Sequence, residues 1–111
     1  MKKSNLVWVD VSLPEHTAGG HLLGRMWYGG FLEKLVTKEE RIGYPNNGGY
    51  HTLELRLSRE DLITFVELVA ASFSRPSDYL GVKELYLKIS QSLVQRGEFP
   101  LPPLNLFVER N

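Results

Sequence analysis

The 111-residue chain contains no cysteine, which excludes disulfides, thiolate zinc sites and cysteine nucleophiles. It carries no excess charge of either sign, because 13 Lys and Arg balance 13 Asp and Glu. There is then no global field to hold a polyanion or an anionic lipid surface, and nucleic acid is not an expected partner. No stretch approaches the ~20 apolar residues that a membrane helix requires. After Met1-Lys2-Lys3 the first apolar run breaks at Asp10, too early for a signal-peptide core. Also missing are internal repeats, a Walker or dinucleotide fingerprint and a G-x-S-x-G elbow. Together these absences set the expectation of a soluble, cytoplasmic chain without membrane contact, forming a single α+β domain over residues 1–111.

Two amphipathic helical patterns are what the chain does have. Ser58 precedes Arg59-Glu60-Asp61, a capping-box arrangement with Asp at the third position. Leu62, Phe65, Val66, Val69, Ala70 and Phe73 follow at three- and four-residue spacing, on one face. Pro76 closes this helix, expected at about 58–75. The second helix, about 78–96, ends at Gly97, a residue suited to a left-handed C′ position. Val82, Leu85, Tyr86, Ile89 and Leu93 form its main stripe. Leu80, Leu87 and Val94 form a separate apolar line at seven-residue spacing, on another side of the same helix. That line is either buried within the chain or covered by a partner.

Strand patterns surround the helices. Val7, Val9, Val11 and Leu13 alternate with Leu6, Trp8, Asp10 and Ser12. Leu53, Leu55 and Leu57 alternate with Thr52, Glu54 and Arg56. Leu104–Glu109 reads as a final strand, reached through Pro100-Leu101-Pro102-Pro103, a structural connector rather than an exposed P-x-x-P ligand. Most of the glycines fall between Gly19 and Gly49. In that middle, Leu22–Tyr28 reads as a strand bounded by glycine-pair turns. Phe31–Arg41 is closer to a short helix than to a strand, and Pro45-Asn46-Asn47-Gly48-Gly49 is turn chemistry. The architecture expected is a mostly antiparallel sheet of about four strands with the helical pair on one face. The opposite face would carry Trp8, Asp10, Thr52, Glu54, Arg56 and Phe107.

No constellation dictates a chemistry, and no catalytic residue, metal ligand or cofactor is assigned. Apolar surface left over on Leu80, Leu87 and Val94, and on Trp8 and Phe107, leads to a small non-enzymatic interaction or regulatory protein acting as a homodimer or on another protein. An alternative is a binder of a small anionic or nucleotide-like ligand. Arg25 and Arg41 would hold the charge, and Trp27, Tyr28, Tyr44 or Tyr50 would stack on the ring. A third reading, a metal-dependent enzyme using Asp10, Glu15, His16, His21 or His51, matches no established ligand spacing.

Overall fold

A computed structural model describes residues 5–42 and 48–104. The described elements are β1 (Leu6–Pro14), α1 (Ala18–Tyr28), α2 (Phe31–Leu35), β2 (Arg41–Ile42), β3 (Tyr50–Ser58), α3 (Arg59–Ser72), a 3-10 turn (Pro76–Asp78) and α4 (Tyr79–Gln95). The three strands form an open antiparallel sheet in the order β1-β3-β2. Val9 lies opposite Leu55 and Val11 opposite Leu53, so the apolar halves of both long strands share one face. All four of these side chains are buried beneath the helices. Trp8 faces Arg56, Asp10 faces Glu54 and Ser12 faces Thr52 on the open side, as the strand alternation requires.

α3 and α4 form where the apolar spacing places them. Ser58 Oγ accepts from the Asp61 amide at 3.1 Å, completing the N-cap of α3. Leu62, Phe65, Val66, Val69 and Ala70 are its buried face. α4 buries Val82, Leu85, Ile89 and Leu93. It also covers the outer edge of β1, where Ser92 Oγ accepts from the Asp10 amide at 3.0 Å. An otherwise open strand edge is thereby closed at that residue. Arg96 reinforces the join by pairing with Asp10 at 2.6 Å and lying over the Trp8 ring at 5.4 Å, with Arg56 at 4.2 Å from the same ring. Beyond α4 the proline-rich segment is tied down as a connector. Arg59 donates to the Phe99 and Pro100 carbonyls, Ser90 Oγ accepts from the Leu101 amide, and the Tyr86 hydroxyl donates to the Pro102 carbonyl.

Two expectations are corrected and one is refined. Leu22–Tyr28 is helical, as part of α1, and not a strand. Thr17 starts this helix by accepting from the Gly20 amide at 3.0 Å while donating to the Pro14 carbonyl at 2.8 Å. Gly19, Gly20 and Gly24 lie inside α1 and do not turn the chain. They let the helix approach its neighbours, since a Cβ on Gly20 would stand 1.8 Å from the Pro14 oxygen. The sheet has three strands among the described residues instead of about four. Finally, the middle segment is both helix and strand: Phe31–Leu35 is helical, and Arg41–Ile42 pairs with β3. Leu104 is buried outside any strand. The remainder of the Leu104–Glu109 run and the Pro45-Asn46-Asn47 turn lie outside the described residues.

Candidate functional site

Two surfaces stand out, on opposite ends of the same physical scale. The first is the outward side of α4. Leu80, Leu87 and Val94 remain 55%, 52% and 54% exposed. Successive members are about two helical turns apart, so they make a straight apolar line on the side of the helix away from the core. Glu84 and Gln91 fall between them. A shallow, largely apolar depression of about 580 Å³ runs over this side, lined by Leu13, Thr17, Glu84, Leu87, Lys88, Ser90, Gln91 and Val94. Glu84 also reaches inward, its Oε1 accepting from the Gly19 amide at 2.5 Å. Its carboxylate thus faces the positive end of α1, whose own first turn has no acid.

The second surface is a depression of about 600 Å³ between the end of α1, α2 and the end of α3. Arg25, Tyr28, Gly29, Phe31, Lys34, Ser72 and Phe73 line it. Phe31 and Phe73 meet edge to face at 5.1 Å between ring centroids, and the Arg25 guanidinium lies 5.0 Å from the Phe73 ring. Arg25 is held in place by Asp78, through an Nη1–Oδ1 contact of 2.8 Å. The Asp78 side chain is almost wholly buried, and Arg75 approaches it at 3.6 Å. The hydrogen bond from Arg25 holds the Asp78 carboxyl below its ordinary range, against the opposing push of burial.

Among the described residues expected to hold a ligand, only Arg25 and Tyr28 share this depression. Trp27 points elsewhere, its indole N–H donating to the Thr52 carbonyl at 2.8 Å. Arg41 donates to the Val36 carbonyl at 2.7 Å and the Leu32 carbonyl at 3.3 Å, satisfying the end of α2. Tyr50 is exposed at the start of β3, opposite Pro14. Phe31 and Lys34 had no sequence signal as ligand contacts, and Phe73 was read only as part of the α3 apolar stripe; Arg25 and Tyr28 become neighbours once residues 18–28 are helical. Of the expected interface residues, Trp8 is 39% exposed between its two arginines. Tyr44 and Phe107 lie outside the described residues.

The acid–histidine set does not converge. Among the described residues no group of three or more His, Cys, Asp or Glu side chains could hold a metal ion. His16 and His21 are exposed, whereas His51 is buried beneath Gly24 with the Tyr28 ring edge-on at 6.1 Å. Its Nδ1 has no hydrogen-bond partner among the described residues. No helix among the described residues is long and apolar enough to cross a membrane. Comparison with protein-family models, with curated proteins and with solved structures finds no match to this chain.

Proposed function

We propose that the protein works through protein–protein contact, and that the occupant of the α4 surface is a second copy of the same chain. The observation that carries this reading is the Leu80–Leu87–Val94 line, which the described residues leave about half exposed. Its pattern is self-complementary. About a two-fold axis at Leu87, with the two α4 helices antiparallel, Leu80 of each copy faces Val94 of the other, and Glu84 lies near Gln91. Helix periodicity places Lys88 of one copy on the same flank as Glu84 of the other, about 3 Å apart along the axis. Glu84–Lys88 pairs therefore recur twice across the axis, and they flank the two Lys88 side chains, which lie side by side at the axis itself.

The magnitude is modest. Fully burying one such side chain is worth ~1.5–3 kcal/mol, so six half-exposed ones yield about 4.5–9 kcal/mol. Association costs ~4–15 kcal/mol, so the apolar line leaves at most about 5 kcal/mol and gives a weak, reversible dimer with a dissociation constant on the order of a few tenths of a millimolar or weaker. Sedimentation velocity over a concentration series from micromolar to millimolar tests this. The mass average rises toward twice the monomer value with concentration, and Leu87→Glu abolishes the rise by placing two carboxylates at the axis. A wild-type chain that stays monomeric across the series overturns the reading.

A further inference from the structure

We propose that the depression framed by Arg25, Tyr28, Phe31, Lys34 and Phe73 is a binding site for a small planar aromatic ring that carries one oxyanion group, a phosphate or a carboxylate. Its volume of about 600 Å³ falls within the range of ~300–1,000 Å³ usual for small-ligand sites. The walls supply three aromatic rings and two cations, and among the described residues no acidic side chain lines the space. Tyr28 is 67% exposed, leaving its ring to stack on a flat molecule.

The cations have different parts. Arg25 is half-buried and fixed at two points, by the Asp78 carboxylate and against the Phe73 ring. Such fixing lowers the entropy lost when its remaining N–H groups meet an oxyanion. Asp78 neutralises one positive charge behind the site, so Lys34, exposed at the rim, supplies the charge that a monoanion lacks a partner for. Ser72 adds a hydroxyl on the α3 side. Rings alone would accept any flat molecule; two lining cations without an acid select the anionic ones.

The test is a titration followed by 1H–15N amide shifts, with AMP and indole-3-acetate as charged-ring probes and adenosine and inorganic phosphate as half-probes. Both charged-ring probes shift the amides of Tyr28, Gly29, Lys34 and Phe73 saturably. Adenosine and phosphate each bind at least about tenfold more weakly. Lys34→Glu and Tyr28→Ala, both at exposed positions, each weaken the charged-ring probes about tenfold or more. Leu87→Glu leaves binding intact, so this site and the α4 contact fail separately. No saturable shift with either charged-ring probe at millimolar concentration overturns the proposal. So does binding that ignores both substitutions, or phosphate alone binding as well as AMP.

Discussion

Replacing Gly20 with alanine sets a methyl carbon 1.8 Å from the Pro14 carbonyl oxygen, 2.7 Å from its carbon and 3.1 Å from the Glu15 Cα. An ordinary carbon–oxygen contact is ~3.3 Å, so helix and strand end must separate by about 1.5 Å. No rotamer change relieves this, because the obstacle is backbone. The same carbonyl accepts from the Thr17 amide at 3.1 Å and the Thr17 hydroxyl at 2.8 Å, and that hydroxyl accepts from the Gly20 amide. Overpacking costs ~1–3 kcal/mol and a disturbed N-cap ~0.5–2 kcal/mol. Alanine returns ~1 kcal/mol of helix propensity, leaving a net loss of about 0.5–4 kcal/mol. Urea unfolding of the wild type, Gly20→Ala and Thr17→Ala separates the two costs, Thr17→Ala reporting the cap alone. A Gly20→Ala protein as stable as the wild type, or more stable, refutes the close approach of α1 to the end of β1.

Other substitutions read the surroundings of the two surfaces. Gly24→Ala places its carbon 2.8 Å from His51 Nε2 and destabilises the fold; shortening the obstacle with His51→Ala in the same chain recovers at least about 1 kcal/mol of that loss in a double-mutant cycle. Asp78→Asn weakens the hold on Arg25 and costs on the order of 1–3 kcal/mol at neutral pH. The folded-state carboxyl titrates below its unfolded value, so its stabilisation is present above ~pH 4 and lost as pH falls through the folded value. Chemical denaturation from pH 7 to pH 2 therefore shows the wild type and Asp78→Asn converging in acid; parallel curves contradict the pairing.

The elements legible in the chain are those whose apolar period coincides with burial. Val7 to Leu13 and Leu53 to Leu57 alternate and line the core, and the α3 and α4 stripes are buried as spaced. α1 was illegible because close contact with its neighbours overrides the poor helix propensity of Gly19, Gly20 and Gly24. Two cues did point to it: Thr17 just before the segment, and Leu22, Leu23 and Met26 at helical spacing. Reading a strand there put Trp27 and Tyr28 on alternate faces of a sheet. In the helix Tyr28 lines the depression with Arg25, while Trp27 turns to the Thr52 carbonyl. The partners from α2 and α3 could not be foreseen, because Phe73 reaches Phe31 only through the tertiary packing of those helices. The Leu80–Leu87–Val94 line was visible throughout, since seven-residue spacing on a helix needs no tertiary knowledge.

The absence of cysteine makes the α4 contact directly addressable by disulfide trapping. At an interaxial separation of ~8–10 Å, facing Cα atoms at the axis come within the ~4.4–6.8 Å that a disulfide spans. Under mild oxidation, L87C alone forms a covalent dimer, L80C alone does not, and an equimolar mixture of L80C and V94C yields the mixed dimer. Equal cross-linking of L80C and L87C with themselves, or none by L87C at millimolar protein, contradicts the antiparallel pairing of α4 and with it the proposed function.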